Sequence, residues 1–265
     1  MSSLEQIRSE GPSSLTGGWR TGLTALLDLV YPAFCPVCRA QLGQGRRDPL
    51  CRGCWDRIER IAPPWCHLCG LAFGRFPSAQ APLAALELRC GGCRTHRPSW
   101  IYARSAARYA DVLRDAIRAF KFGGHRALAA PLADLMIELG PSSLPGPRPD
   151  ALIPVPLHPA RERERGFNQA WLLAWRVGRG WGLPAHRHVL RRHAPTSPQT
   201  DLGAEERRAN VRGAFAVRHP DLVAGKHLLL VDDILTTGST AGACAAALRR
   251  AGASTVGVLT VARAG

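Results

Sequence analysis

Two carboxylates stand side by side shortly before a turn that is rich in hydroxyl groups. The carboxylates are Asp232 and Asp233, and the turn consists of Thr236, Thr237, Gly238, Ser239 and Thr240. Adjacent carboxylates can accept hydrogen bonds from a sugar diol or help to hold Mg²⁺. A hydroxyl-rich turn at the start of a helix offers backbone N–H groups and the positive end of the helix dipole to a phosphate. Together the two features predict one ligand that carries both groups, a phosphorylated sugar.

The flanking residues predict the elements that position this pair. Leu228–Val231 is an apolar run with the length and composition of a buried strand. Asp232 and Asp233 would then lie at the carboxyl end of that strand, where open α/β sheets bind ligands. Ala241–Arg250 is rich in alanine and predicts a helix, with Gly252 just beyond its end.

The same stretch has three alternative interpretations. An ordinary strand–helix junction with an acidic turn and a Ser or Thr N-cap remains an alternative. A Walker B strand also ends in carboxylates, but it requires a GxxxxGK[ST] partner, which the chain lacks. A serine-hydrolase elbow requires GxSxG, and Gly238–Gly242 places its serine at a different position.

Eight of the nine cysteines form four CxxC pairs in the first third of the chain. The pairs are Cys35/Cys38, Cys51/Cys54, Cys66/Cys69 and Cys90/Cys93. Each pair offers two thiolates on one tight turn, and two such turns complete a tetrahedron around Zn²⁺. We therefore expect two structural zinc sites with four cysteine ligands each. Sequential pairing and a cross-braced arrangement, first pair with third, both agree with the spacing.

Disulfides are the alternative use of these cysteines. The first twenty residues show no basic start followed by an apolar core, so no secretory signal is expected. Disulfides are rare in the reducing cytoplasm, which favours zinc. Cys244 stands alone in the alanine-rich segment and is expected to be a small buried residue.

Length and charge bound the organisation. The chain has 265 residues and a formal net charge of +15, and Lys121 and Lys226 are its only lysines. Arginine forks suit phosphate oxygens, so the charge agrees with phosphorylated small molecules or with nucleic acid. We expect three parts: an amphipathic segment over 1–30, a double zinc ribbon over 31–97, and an α/β domain over 100–265. No apolar run is long enough to span a membrane.

Strands and helices alternate along the predicted α/β domain, which favours a mainly parallel sheet flanked by helices. The remaining predicted elements are a strand at Ser105–Tyr109, helices at Asp111–Phe120 and Ala127–Leu139, a short strand at Leu152–Pro156, a helix at Phe167–Gly178, a short segment that begins at Val217, and a strand at Thr255–Ala262. We expect a cytoplasmic protein, and attachment of the amphipathic segment to the inner face of the membrane is the alternative.

The stretch Leu228–Thr240 closely resembles the phosphoribosyl-pyrophosphate motif of type I phosphoribosyltransferases. The resemblance implies that Asp232 and Asp233 take the ribose 2′- and 3′-hydroxyls, and that Thr236–Thr240 wrap the 5′-phosphate. It also implies Mg²⁺ as a cofactor and displacement of pyrophosphate at C1′ as the reaction, with both aspartates as catalytic residues.

The order of several motifs is similar to that of the ComF family, which has a phosphoribosyltransferase fold and serves bacterial DNA uptake. The matching pieces are the CPVC and CHLC knuckles, Lys121-Phe122-Gly123, Pro154–His158, Arg163–Gln169, Gln199–Phe215 and the terminal VDDILTTGST. They run from about residue 30 to the C-terminus. The resemblance implies phosphoribosyl pyrophosphate, single-stranded DNA and DNA-uptake proteins as partners.

Several cationic and polar residues are candidates for the pyrophosphate. The turn after Val155 corresponds to a pyrophosphate loop, and the segment Arg191–Asn210 to a mobile loop that closes over the ligand. Arg163 and Arg165 can act as forks, or belong to a solvated helix end. Lys121 can approach the pyrophosphate, with a surface lysine as an equal alternative. Asn168 and Gln169 either cap a helix or contact the ligand.

Three functional hypotheses follow. The first is a zinc-bearing phosphoribosyltransferase with an unknown acceptor, since no residue set for reading a nucleobase is evident. The second is a ComF-type factor that binds phosphoribosyl pyrophosphate or single-stranded DNA and supports DNA uptake. The third is a non-catalytic, zinc-folded nucleic-acid-binding module that retains the phosphate pocket.

Overall fold

The structure is a computed structural model, and it describes residues 33–43, 49–73, 88–193 and 213–265. The predicted amphipathic segment over 1–30 and most of the predicted mobile loop over 191–210 lie outside these residues. Within the described part, no helix is both long and apolar enough to cross a membrane.

The helices and strands alternate as expected once the cysteine-rich part has ended. The helices are α1 (Arg52–Asp56), α2 (Gly91–Thr95), α3 (Asp111–Phe122), α4 (Ala129–Leu139), α5 (Pro159–Arg165), α6 (Gln169–Trp181) and α7 (Ser239–Arg250). The strands are β1 (Tyr102–Arg108), β2 (Ala151–Pro154), β3 (Leu190–Arg192), β4 (Phe215–Val217), β5 (His227–Leu235) and β6 (Thr255–Arg263).

Four of these strands form one parallel sheet in the order β1–β6–β5–β2. The central strand β5 pairs with β6 from His227 to Leu235, but with β2 only as far as Val231, opposite Pro154. β3 and β4 form a separate antiparallel pair. The prediction of a mainly parallel sheet flanked by helices is confirmed.

The two faces of the sheet carry separate apolar cores. Leu229 and Val231 of β5 face α3, α4 and α6 in the larger core. Leu228 and Leu230 face α7 and the β3–β4 pair in the other. Alternate residues of a strand point to opposite faces, so successive residues from Leu228 to Val231 join the two cores in turn. Beyond the aspartates the assignment is reversed, with Ile234 packed against the larger core and Leu235 buried in the other.

The predicted strand Leu228–Val231 is too short, because β5 continues through both aspartates to Leu235. The cause is its neighbour: β6 supplies backbone partners as far as Arg263, opposite Leu235. Asp232 and Asp233 therefore lie within the last part of the strand, beyond the end of β2, rather than after the strand. Other predicted elements shift by a few residues; the segment predicted to begin at Val217 is a strand that ends there.

The cysteine-rich part packs against the sheet rather than standing apart from it. Residues 59–61 run antiparallel to β1, with Ile61 N–H donating to Ala106 O and Arg108 N–H donating to Glu59 O. This segment covers the outer edge of β1, which would otherwise present unpaired backbone groups.

Candidate functional site

The eight paired cysteines form two groups in sequential order. One group is Cys35, Cys38, Cys51 and Cys54, and the other is Cys66, Cys69, Cys90 and Cys93. Within each group the sulfur atoms all lie within 4.8 Å of one another. The structure therefore selects the sequential pairing over the cross-braced one.

The sulfur spacing fits a tetrahedral zinc ion. With Zn–S bonds of about 2.3 Å, the sulfurs of a tetrahedron lie roughly 3.8 Å apart. The observed Sγ–Sγ distances are 3.8 Å for Cys35 and Cys54, 3.5 Å for Cys38 and Cys51, and 3.6 Å for Cys69 and Cys90. These are far longer than the roughly 2.05 Å of a disulfide. The donor set thus fits two structural zinc ions.

Backbone hydrogen bonds favour the thiolate at Cys66 of the second group. Cys90 N–H donates to Cys66 Sγ at 3.3 Å. Burial raises the pKa of the Cys66 thiol, but backbone hydrogen bonds, that from Cys90 first, outweigh it and lower the pKa to about 7. A lowered pKa favours the thiolate, which is the form that binds zinc.

A cleft of about 300 Å³ opens at the carboxyl end of the sheet. Small-molecule sites usually occupy about 300 to 1,000 Å³. The cleft exists because β2 stops early: its register with β5 ends at Pro154 opposite Val231, and Val155 N–H then donates to Val231 O. The last residues of β5 are thereby left open on this side.

Both predicted aspartates line this cleft, but from opposite faces of the sheet. Asp233 lies on the face of Leu229 and Val231, near α3. Asp232 lies on the other face, where it interacts electrostatically with Cys244 of α7. A ligand at the exposed strand end can therefore be held from two sides.

Lys121 joins the cleft from the last turn of α3. Its Nζ lies 2.9 Å from Asp233 Oδ2, and the two side chains are 21 % and 6 % exposed. Burial lowers the pKa of Lys121, but the charges of Asp233 and then Asp232 outweigh it, so that the pKa is raised. Lys121 is thus a charged, largely buried partner of Asp233.

Asp232 loses its negative charge more easily than an ordinary aspartate, because its pKa is raised. Burial, and next the charge of Asp233, raise the pKa of Asp232 to about 7, although Lys121 and the backbone N–H of Asp233 act in the opposite direction. Asp233 N–H donates to Asp232 Oδ1 at 2.9 Å. One added cation would stabilise the ionised pair, so these carboxylates fit the chemistry of a Mg²⁺ site.

The hydroxyl-rich turn joins β5 to α7 and forms one wall of the cleft. All five of its residues, 236–240, line the cleft. Gly238 has φ +79° and is the residue before α7, so it adopts the left-handed conformation that favours glycine. Thr237 Oγ1 lies 2.9 Å from Ser239 Oγ and accepts from Ser239 N–H at 3.4 Å. The start of α7 therefore presents hydroxyls and N–H groups at this wall.

Helix α5 supplies two arginines to the cleft. Arg161 and Arg165 are four residues apart and line the cleft together. Arg163 lies instead beside Pro159, Glu162 and Gly166, in another depression. Of the two interpretations of Arg163, its place in the structure agrees with the solvated helix end, because a helix that starts at Pro159 turns this side chain away from the cleft.

Asn168 and Gln169 have different roles in the structure. Asn168 Oδ1 accepts from Trp171 N–H at 3.3 Å and Nδ2 donates to Val155 O at 3.2 Å, so Asn168 caps α6 and ties it to the turn after β2. Gln169 Oε1 accepts from Arg165 Nη1 at 3.3 Å. Its Nε2 is buried without a hydrogen-bond partner among the described residues, and Gln169 lines the cleft.

Distant strands contribute further lining residues. Thr260 of β6 had no signal in the sequence, whereas Arg192 of β3 lies at the start of the segment expected to close over the ligand, and the turn after β2 contributes Val155, Pro156 and Leu157. Burial lowers the pKa of Arg192. Only the pairing of distant strands brings these side chains to one cleft, although the turn after Val155 was expected there.

Comparison with known proteins gives matches for both halves of the chain. Residues 26–94 match the family described as Double zinc ribbon domain, and residues 182–265 match the Phosphoribosyl transferase domain. The parallel sheet and the two cysteine groups agree with these matches. The fold is therefore a type I phosphoribosyltransferase fold with an N-terminal double zinc ribbon.

Relatives match the chain over most of its length. DNA utilization protein YhgH of Escherichia coli O157:H7 is 34 % identical over 238 residues, which is 89 % of this chain and 99 % of that protein. Competence protein F of Haemophilus influenzae is 31 % identical and covers 87 % of this chain and 96 % of its own. Competence protein ComFC of Bacillus subtilis is 28 % identical, over 80 % of this chain and 86 % of its own. This chain therefore belongs to the ComF family, which includes competence protein F and ComFC.

Proposed function

We propose that the cleft binds phosphoribosyl pyrophosphate with Mg²⁺. The observation that carries this proposal is the meeting of Asp232, Asp233 and the turn 236–240 in one cleft of about 300 Å³. Carboxylates suit a sugar diol, and a helix start suits a phosphate. A phosphorylated pentose carries both groups on a single molecule.

The cationic residues of the cleft suit the diphosphate of this ligand. Arg161 and Arg165 face the cleft from one side of α5, and Lys121 enters from α3. Arg165 is held in place by Gln169 and by the ring of Phe122, whose centroid is 4.9 Å from the guanidinium carbon. A guanidinium fork held in advance loses little freedom when it binds phosphate oxygens.

Mg²⁺ would be held by Asp232 and Asp233, and it would offset the charge of the diphosphate. The residues of the chain then bind and orient the sugar: the carboxylates accept hydrogen bonds from its hydroxyls, the turn donates hydrogen bonds to its phosphate, and the arginines face the leaving group. If pyrophosphate is displaced at C1′, positive charge develops on the ribose ring, and the two carboxylates lie where they can stabilise it. Positioning and electrostatics would supply the catalysis.

Titration calorimetry with phosphoribosyl pyrophosphate and Mg²⁺ tests the binding. We expect saturable binding by the wild-type chain and none by Asp232→Asn/Asp233→Asn. Asp221→Asn removes an exposed carboxylate away from the cleft and should bind like wild type. Equal binding by the double variant, or no binding by the wild type, refutes the assignment. Release of pyrophosphate in the presence of metabolite pools distinguishes a transferase from a binding protein.

We further propose that the protein supports DNA uptake and contacts single-stranded DNA. The names of the relatives, competence protein F among them, support the first part. The net charge of +15 supports the second, because phosphate neutralisation supplies much of nucleic-acid affinity. Thiolate zinc sites suit a reducing compartment, so we propose action in the cytoplasm, at the inner face of the membrane where a strand would arrive. DNA-uptake proteins are then the expected partners.

Anisotropy measurements with a labelled single-stranded oligonucleotide test this role. The logarithm of the binding constant should fall steeply with the logarithm of salt concentration, by about 0.7 for each neutralised phosphate. Absence of binding, or a nearly flat salt dependence, argues against the role in uptake. Competition by phosphoribosyl pyrophosphate shows whether both ligands use the cleft. A zinc-folded binding module without catalysis predicts DNA binding and no release of pyrophosphate.

A further inference from the structure

The turn 236–240 has a second side, which faces the second cysteine group. A groove of about 940 Å³ lies there, lined by Cys69, Cys90 and Cys93 on one flank and by Thr236–Ser239 on the other. The turn therefore separates the cleft from the second zinc ribbon.

Arg263 supports the turn from behind. It is the last residue of β6, and its Nη1 donates to Leu235 O at 3.0 Å and to Thr236 O at 2.8 Å. The same guanidinium reaches the second cysteine group: Nε donates to Cys69 O at 3.2 Å, and Nη2 lies 3.8 Å from Cys69 Sγ. The Arg263 side chain thus connects Cys69, a predicted zinc ligand, to the start of the turn at Thr236.

Trp100 makes a second connection between the same two places. Its indole N–H donates to Leu68 O, within the second cysteine group, at 2.8 Å. Its ring lies so close to Gly238 that a Cβ there would be 2.5 Å from a ring carbon. Gly238 has φ +79°, which favours glycine, and the indole occupies the space where a Cβ would be. The conformation of the turn at residue 238 therefore depends on the glycine and on the position of the indole.

We propose that zinc bound at Cys66, Cys69, Cys90 and Cys93 holds the phosphate turn in its binding conformation, with Arg263 and Trp100 as positioning residues. Zinc fixes the knuckle whose carbonyls, Leu68 O and Cys69 O, receive these two donors. The inference rests on the proposed role of the turn in binding phosphate.

The geometry of the peptide group explains the effect on binding. In a trans peptide the C=O and the N–H point in opposite directions. Arg263 holds the carbonyls of Leu235 and Thr236, so the N–H groups of Thr236 and Thr237 are directed away from it. A turn whose N–H groups are already oriented loses less freedom when it binds an anion. Without Arg263 these exposed residues would sample other orientations.

The first cysteine group offers an internal comparison. Cys35 and Cys54 pack with Leu50 and Ile58 in the core shared with α3 and α4. That core lies on the face of the sheet opposite α7. Loss of zinc from the first group should therefore loosen that core and leave the turn 236–240 as it was.

Hydrogen–deuterium exchange of the unliganded chain tests the coupling without reference to any ligand. Arg263→Gln should retain both zinc ions, and exchange of the amides of residues 236–240 should become at least tenfold faster. Trp100→Phe, which keeps a ring but removes the N–H donor, should act in the same direction with a smaller effect. Arg250→Gln removes an exposed arginine that lines the same groove, and exchange should stay at the wild-type rate.

The two zinc groups are compared with a matched pair of variants. Cys51 and Cys90 are both half-buried and begin the second CxxC pair of their groups. Cys90→Ser should speed exchange at 236–240, whereas Cys51→Ser should not. Equal effects of the two variants, or unchanged exchange in Arg263→Gln with zinc retained, overturn the proposal.

Binding measurements separate this inference from the proposed function. Arg263→Gln should weaken the binding of phosphoribosyl pyrophosphate with Mg²⁺ about tenfold or more, and Arg263→Lys should restore part of it, because an ammonium can still donate to the carbonyls. If the wild type binds no phosphoribosyl pyrophosphate, the proposed function fails. The exchange rates still decide whether zinc positions the turn.

Discussion

Lys121 Nζ lies 2.9 Å from Asp233 Oδ2, although 111 residues stand between them in the chain. The sequence predicted contact of Lys121 with pyrophosphate or with solvent, whereas in this structure its partner is a carboxylate of the cleft. The pair gives Asp233 a cationic partner at a site where that side chain is only 6 % exposed. Lys121 thereby sets the electrostatics of both aspartates before any ligand arrives.

We expect Lys121→Gln to destabilise the protein and to shift its binding to higher pH. Removing one partner of a buried ion pair leaves an unpaired charge and costs about 3–5 kcal/mol. Lys121 also opposes the rise in the pKa of Asp232, so its loss moves that pKa above 7. Denaturant unfolding measures the first effect, and calorimetry with phosphoribosyl pyrophosphate and Mg²⁺ from pH 6 to 9 measures the second.

Lys226→Gln is the control, since Lys226 is the only other lysine and is exposed. It should leave both stability and the pH midpoint of binding unchanged. Identical behaviour of the two lysine variants would show that the ion pair has no influence on the cleft.

The ionisation of Asp232 predicts opposite effects of pH on stability and on binding. The pKa of Asp232 is raised to about 7 in the folded chain, whereas an unfolded aspartate titrates near pH 4. Between these values the folded state holds the extra proton, so stability of the unliganded chain falls as pH rises from about 4 to 7. Binding that requires both carboxylates ionised should instead strengthen as pH rises through about 7.

Asp232→Asn tests the stability effect directly. The variant should melt at a higher temperature than wild type at pH 8, and the difference should shrink toward pH 5.5. A gain of about 1–3 kcal/mol corresponds to several degrees in a chain of this size. Zinc binding is common to both proteins and cancels in the difference. If the difference in melting temperature between Asp232→Asn and wild type stays constant across this pH range, the pKa of Asp232 is not raised. The control variant Asp221→Asn should show such a constant difference.

Much of the site could be predicted because its chemistry lies in contiguous segments. Asp232, Asp233 and the turn 236–240 follow one another in the chain, so strand, carboxylates and helix start were evident together. The CxxC pairs are equally local, and their spacing alone predicted two groups of four. The spacing agrees with both pairings, and the sequential one is settled by distances between residues up to 27 positions apart, Cys66 and Cys93.

The remaining features depend on contacts between distant segments. The two aspartates lie on opposite faces because β5 continues through them, and it continues because β6 pairs with it up to Arg263. Which arginine of α5 enters the cleft depends on the residue at which that helix starts. The contact of Arg263 with Cys69 spans 194 positions. No local pattern in the sequence contains such information.

Gln169 is expected to contribute to ligand affinity rather than to stability. Its Nε2 is buried without a partner among the described residues and belongs to a residue that lines the cleft. A buried donor without a partner is costly, and a hydrogen bond to a charged ligand group is worth about 1.5–3 kcal/mol. Gln169→Leu should therefore weaken binding of phosphoribosyl pyrophosphate about tenfold or more, while the unfolding midpoint stays near that of wild type.

Asn168→Ala should mainly lower stability, in contrast to Gln169→Leu, which should mainly lower affinity. Asn168 caps α6 and holds Val155 O, and the loss of an N-cap costs about 1 kcal/mol. The variant should be less stable, and any loss of affinity should follow from the shifted turn after β2. If Gln169→Leu binds like wild type, the unpartnered amide has no role in ligand recognition.

Arg161 and Arg163 form a matched pair for testing which face of α5 meets the ligand. Both are exposed arginines on the same short helix, but Arg161 lines the cleft and Arg163 does not. Arg161→Gln should weaken binding of phosphoribosyl pyrophosphate with Mg²⁺ by about 1–2 kcal/mol, a roughly five- to thirtyfold change, because a charge-assisted hydrogen bond to the diphosphate is lost. Ribose 5-phosphate lacks the diphosphate, so its affinity should change little in the same variant. Arg163→Gln should bind both ligands as wild type does. Equal losses in the two variants would mean that only net charge matters and that the helix face does not.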